Sequence, residues 1–156
     1  MGNQISNVSK LHRNAILYLS DMGVLEARQL FELSPTVYKK LMAGKVDSLN
    51  VITISRLADK LGLGISELFI DPDDVNAYHY WYAETDVKYF VNNLSAYIAD
   101  VGISQAKLCR LAGLERHTVS RLLKQQDATG SLPRLGSLQK LADALQVEAA
   151  DLFLPG

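Results

Sequence analysis

Residues 104–122 read SQAKLCRLAGLERHTVSRL, and their apolar positions follow a helical spacing. Leu108 and Leu111 recur on one helix face, and Gly113 stands where a left-handed residue would end that helix. Val119 begins the apolar side of a second helix shortly afterwards. The stretch therefore predicts two short helices joined by a glycine-containing turn of about three or four residues.

The second of these helices carries polar and basic side chains opposite its apolar side. A helix pair of this kind is the helix-turn-helix arrangement, in which the second helix enters the major groove of DNA. Arginine can donate hydrogen bonds to guanine edges or to phosphates, and Gln105 at a helix start can hold a backbone phosphate. The predicted contacts to double-stranded DNA in this half of the chain are Gln105, Arg116, His117, Thr118, Ser120, Arg121 and Lys124.

The chain contains an internal repeat. Residues 54–70 (ISRLADKLGLGISELFI) align without gaps on residues 138–154 (LQKLADALQVEAADLFL) at an offset of 84. Upstream, residues 14–23 align on residues 93–102 at an offset of 79. Two matches in the same order favour duplication of one helical domain over chance. The sequence therefore predicts an all-α protein of two tandem domains, each with about five short helices.

The second half resembles the Cro/C1-type helix-turn-helix domain, the lambda repressor-like or XRE family. Residues 104–122 follow that family's pattern nearly position by position, and residues 133–153 match its fourth and fifth helices. The resemblance implies a sequence-specific DNA-binding transcriptional regulator of the bacterial or phage repressor type, commonly a homodimer on a two-fold operator. Its contact positions fall on Gln105, Arg116, His117 and Arg121. Residues 125–131 form a longer loop than the pattern has.

The first half resembles the family less well. Residues 33–45 (LSPTVYKKLMAGK) are similar to its turn and recognition helix, but the preceding helix is about two residues short and the turn glycine is missing. We therefore predict a degenerate helix-turn-helix domain over residues 1–70 and a DNA-binding domain over residues 92–156. In the degenerate domain the predicted DNA contacts are Thr36, Lys39, Lys40 and Lys45, with the lysines placed to hold phosphates. Whether this domain also reads bases is left open.

Residues 71–91 form an acidic, aromatic connector with one basic and five acidic residues. Half of the 12 aromatic residues lie here: Tyr78, Tyr80, Trp81, Tyr82, Tyr89 and Phe90. Stacking of single-stranded nucleic acid on them would need positive charge nearby, which this segment lacks. We therefore expect these residues to be buried between the domains or at a dimer interface.

Composition narrows the class of protein. The hydrophobic share of 48% and charged share of 21% are typical of folded globular proteins, and a net charge of −1 argues against strong nonspecific binding to nucleic acid. The start MGNQISNVSK lacks a secretion signal, and no apolar run could span a bilayer, so we expect a cytoplasmic protein without membrane contact.

Cys109 is the sole cysteine and is expected in the core. The three histidines lack a carboxylate cluster, so no enzyme, metal or cofactor is predicted.

Two arrangements and one rival function remain open. If both domains bind duplex DNA, their recognition helices should lie about 34 Å apart, in successive major grooves. A homodimer that uses only the second domain is equally compatible. The rival is a protein-interaction module, such as an antitoxin or anti-repressor, that keeps the helical fold and binds a protein partner through the aromatic connector.

Overall fold

The computed structural model describes residues 7–74, 80, 84–124 and 132–155, and within these ranges the chain is all-α, without a β-strand. The first half contains α1 (Asn7–Leu19), α2 (Val24–Leu30), α3 (Pro35–Ala43), α4 (Val51–Leu61) and the 3-10 helix η1 (Ile65–Phe69). The second half contains the 3-10 helix η2 (Val87–Tyr89), then α5 (Phe90–Val101), α6 (Gln105–Ala112), α7 (Thr118–Leu123), α8 (Leu135–Leu145) and the 3-10 helix η3 (Ala149–Phe153).

Side-chain caps define where several of these helices begin. The hydroxyl of Ser34 accepts a hydrogen bond from the amide of Val37 at the start of α3, at 3.1 Å. Ser104 accepts the equivalent bond from Lys107 at the start of α6, also at 3.1 Å. The side chain of Asn50 caps α4 in the same way. Each cap satisfies an amide that has no partner within its helix and contributes about 1 kcal/mol.

Left-handed residues follow α6 in the second half and α2 in the first. Gly113 has a φ of 70° after α6, and the amide of Leu114 donates to the carbonyl five residues back, at 2.9 Å. In the first half Glu32 takes the same role with a φ of 55°, and Leu33 makes the corresponding bond at 2.8 Å. The missing turn glycine is thus replaced by a glutamate in the same conformation, so the turn forms although its sequence signal is absent.

Two predicted boundaries differ from the structure. The connection between α6 and α7 spans residues 113–117, longer than predicted, because Arg116 and His117 form a turn before the helix begins at Thr118. In the first half, α2 has seven residues against eight in α6, so it is one residue shorter rather than about two.

An asparagine side chain closes each half of the fold, buried at Asn14 and half-buried at Asn93. The side-chain amide of Asn14 in α1 donates to the carbonyls of Leu68 and Ile70, at 3.1 and 2.8 Å. In the second half, the amide of Asn93 in α5 donates to two carbonyls at the end of η3, at 2.9 and 2.7 Å. Both asparagines hold the first helix of their half against its last turn, where a carbonyl without a donor would be costly.

The two halves share one continuous apolar core and meet through backbone hydrogen bonds. The amide of Val51 donates to the carbonyl of Pro133 at 2.9 Å, and the amide of Leu135 donates to the carbonyl of Leu49 at 2.8 Å. An isolated antiparallel bridge lies between these two bonds. The starts of α4 and α8 are therefore fixed against each other.

A second contact joins the ends of the halves. The rings of Phe69 and Phe153 stack with their centroids 5.8 Å apart and their planes 15° apart. Beside them the hydroxyl of Ser66 donates to the carbonyl of Ala150 at 2.7 Å, and Ser66 is fully buried. This interface resembles a protein interior, which favours a fixed arrangement of the halves.

Part of the aromatic connector packs into this core. Tyr80 is buried and its hydroxyl bonds to the carboxylate of Asp151 in η3. Phe90 is fully buried and stacks on Phe153, whereas Tyr89 is half-buried. The predicted interface residues outside the described residues are Tyr78, Trp81 and Tyr82.

Candidate nucleic-acid interface

The inner side of the α6–α7 pair is a closed apolar contact. Leu108 and Val119 have no exposed surface, and Cys109 and Leu122 are also buried. The sulfur of Cys109 therefore belongs to the core, as expected from the sequence. Because the inner positions are filled, the orientation of α7 is set by packing and its opposite side faces solvent.

The outer side of this pair presents basic side chains. Its exposed side chains include Arg116, His117, Arg121 and Lys124, with the exposed Glu115 beside them. Within the described part of the chain, none of the four forms an ion pair with an acidic residue. Arginine and lysine side chains without an internal partner keep their donors available for phosphates and base edges. This cluster, the second-half basic face, is the strongest candidate for DNA contact.

Two predicted contact residues are less accessible. Thr118 is 9% exposed, so its side chain lies mostly against the protein. Ser120 is half-buried, and its hydroxyl donates to the carbonyl of His117 at 3.2 Å. That donor is used inside the turn, although the Ser120 oxygen still has a free lone pair with which it can accept.

The start of α6 adds a further set of exposed groups. Gln105 is the first residue of the helix and is exposed, beside the capping residue Ser104. The amino end of a helix attracts anions because its amides and dipole point outward. Lys107 and Arg110, both exposed on α6, were missed as candidates by sequence reasoning. Their spacing of three, on the helix that precedes the recognition helix, is the signal that could have identified them.

In the first half the corresponding helix is α3. Thr36, Lys39 and Lys45 are exposed, with Lys45 directly after the left-handed Gly44 that ends the helix. The ammonium group of Lys40 instead donates to the hydroxyl of Ser48 at 2.8 Å, which directs it toward the segment that follows α3. The structure thus brings the three exposed residues to one helix and its end.

The two outer faces differ in chemistry. The second-half face contains two arginines and a lysine, each exposed, together with His117. The α3 face contains lysines and a threonine but no arginine. Arginine presents a planar fork of donors that matches guanine and phosphate, whereas lysine acts as a point charge. The second half is therefore better suited to reading bases.

The described residues contain neither a metal-binding cluster nor a membrane-spanning helix. Among residues 7–74, 80, 84–124 and 132–155, no group of three or more His, Cys, Asp and Glu side chains is placed to hold a metal ion. In the same ranges no helix has the length and apolar character needed to cross a membrane.

The comparisons with known proteins agree with the geometry of the second half. A family model, the Cro/C1-type HTH DNA-binding domain, matches residues 93–154. The matched range begins at Asn93 and ends at Leu154, the two residues joined by the hydrogen bond that closes this half. Searches of curated proteins and of solved structures found no match to the chain. Residues 93–154 are therefore a Cro/C1-type helix-turn-helix domain, which indicates a DNA-binding regulator.

Proposed function

From the Cro/C1-type domain at residues 93–154, we propose that this protein is a sequence-specific, double-stranded-DNA-binding transcriptional regulator of the repressor type. It acts by occupying DNA and has no enzymatic activity. The second domain reads the operator, and the first, degenerate domain over residues 1–70 assists binding. The likeness to lambda repressor-like domains supports repression and a place in the cytoplasm, beside the DNA that the protein controls.

The second-half basic face carries this proposal. Arg116 precedes α7 and Arg121 lies within it, and both are exposed without an acidic partner in the described chain. The buried contacts of Val119 and Leu122 hold α7 against the domain. A rigid helix with free arginines on its outer side fits the major groove, whose guanine edges accept paired hydrogen bonds.

The test is selection of enriched sequences from a random duplex pool at two salt concentrations. The double variant Arg116→Ala/Arg121→Ala is compared with Arg56→Ala/Lys140→Ala, which removes the same charge from exposed positions on α4 and α8. We expect the wild type and the control pair to enrich one motif that the first variant does not enrich. Equal enrichment by both variants, or none by the wild type, contradicts the proposal.

A second candidate function is a protein-interaction module that keeps this fold. The observation in its favour is a group of exposed apolar side chains on α1 and α2. Leu17, Val24, Leu25 and Leu30 are each more than half exposed. The connector offers less support, since Tyr80 and Phe90 are packed inside the chain. Salt distinguishes the candidates, because binding through phosphates weakens steeply as salt rises whereas an apolar interface responds weakly.

A further inference from the structure

Two backbone hydrogen bonds between the halves join equivalent positions of the sequence repeat. Val51 and Leu135 differ by 84, the offset of the repeat, and so do their acceptors Leu49 and Pro133. Each half therefore donates one backbone hydrogen bond to the other and accepts one from it, and the two donors and the two acceptors occupy equivalent positions of the repeat. Such a reciprocal exchange is what a two-fold axis generates between identical subunits.

Two further contacts between the halves obey the same relation. The bridge pairs Asn50 with Arg134, again 84 positions apart, so the axis passes between them. The stacked rings of Phe69 and Phe153 are also 84 apart. Two well-separated contacts with one offset define a single pseudo-two-fold axis through the chain, with the five-helix order of each half on either side.

This axis determines where the recognition helices lie. The axis relates the first half to the second, so it relates α3 (Pro35–Ala43) of the first half to α7 (Thr118–Leu123) of the second. Two-fold related recognition helices match two inverted half-sites on a duplex.

We propose that a single chain binds one DNA site composed of two inverted and unequal half-sites. The half-site beneath α7 is read at its bases through Arg116 and Arg121, and the half-site beneath α3 is held at its phosphates through Lys39 and Lys45. The centres of the half-sites are separated by about 34 Å, one helical turn. This inference rests on the proposed function and specifies its DNA target and its stoichiometry.

The surface through which the two halves meet is occupied within the chain. A two-fold homodimer of second halves that used this same surface would have to pair residues 133–135 with their own copies. Those residues are paired with residues 49–51, and Phe153 is fully buried against Phe69. The internal partner is tethered, so its effective concentration exceeds that of a separate chain at ordinary protein concentrations. The chain itself thus supplies the second half of the dimer that the resemblance implies.

The experiment measures stoichiometry and half-site dependence on the duplex selected with the full chain. Native mass spectrometry or sedimentation is expected to find one chain per duplex, with protection over two successive major grooves on one side of the DNA. Scrambling the bases beneath α7 should lower affinity by about tenfold or more. Scrambling the bases beneath α3 should change it little, whereas removing that DNA should weaken binding, because phosphates are lost.

The double variant Lys39→Ala/Lys45→Ala tests the inference separately from the proposed function. This double variant should bind all duplex sequences more weakly and by a similar factor. It should also reduce the slope of log affinity against log salt concentration by about two. Two chains on a symmetric palindrome, or unchanged binding by this double variant, overturns the inference and leaves intact the proposal that the second domain reads an operator. A complete lack of duplex binding by the wild type at low salt overturns both.

Discussion

The hydroxyl of Tyr80 donates a hydrogen bond to Asp151 across 71 positions of sequence and links the connector to the last turn of the second half. Desolvation by burial raises the pKa of Tyr80 above its ordinary value of 10.0, and the Asp151 carboxylate raises it further. The proton is therefore retained in the folded protein under conditions in which an unfolded tyrosine would lose it.

This contact predicts an effect of pH on stability. The pKa of Tyr80 is higher in the folded protein than in the unfolded chain. The stabilisation from its hydrogen bond is therefore fully present below about pH 10 and is lost as pH rises above the ordinary tyrosine pKa. We expect Tyr80→Phe to lower the free energy of unfolding by about 1–2 kcal/mol at pH 7 and to reduce its decline above pH 10. Urea unfolding of the wild type and the variant at pH 7 and above pH 10 measures these free energies. The half-buried Tyr89→Phe is the matched control at pH 7, and equal losses from the two variants there would argue against the Tyr80 contact.

The stacked rings of Phe69 and Phe153 predict that the two halves depend on each other for stability. Phe153→Ala should lower the free energy of unfolding by about 3–5 kcal/mol, because it leaves a cavity between fully buried neighbours. Leu111→Ala, at a position 60% exposed, should change it by less than about 0.5 kcal/mol. Thermal unfolding of the wild type followed by calorimetry should show one cooperative transition. Two separate transitions in the wild type would mean that the halves fold independently of this interface.

The left-handed residues after α4 and α8 predict that gaining a glycine and losing a glycine there have opposite effects on stability. Gln146 has a φ of 59° at the position equivalent to Gly62, whose φ is 74°. Gln146→Gly should raise the free energy of unfolding by about 0.5–1 kcal/mol through relief of backbone strain. Gly62→Ala should lower it by about 1 kcal/mol, and only through strain, since an added Cβ meets no atom within 4 Å. Chemical denaturation measures both, and the same sign for both variants would contradict this explanation.

Local features of the fold were predictable because they depend on local spacing. The apolar positions around Leu108 and Val119 and the glycine at 113 indicate two helices and a turn without knowledge of the rest of the chain. The turn at Glu32 was missed as a left-handed position, because glutamate carries no signal for a positive φ. The start of α7 was placed too early, since Arg116 and His117 are compatible with both helix and turn.

Contacts between the halves were beyond the sequence alone. The repeat predicts that Phe69 and Phe153 each occupy a core position, but nothing in its spacing says that these two rings meet. The contact residues of the DNA interface remain predictions, because their proof requires binding data.

The most direct measurement of the central claim is the affinity of the full chain for its selected duplex as a function of salt. It is made for the wild type, Arg116→Ala/Arg121→Ala and the control Arg56→Ala/Lys140→Ala. We predict nanomolar to tens-of-nanomolar binding, of the order of 10⁻⁸ M, by the wild type and the control. The first variant should bind at least tenfold more weakly and should lose its preference for the selected sequence. Equal affinities and equal sequence preference for all three proteins would contradict the account.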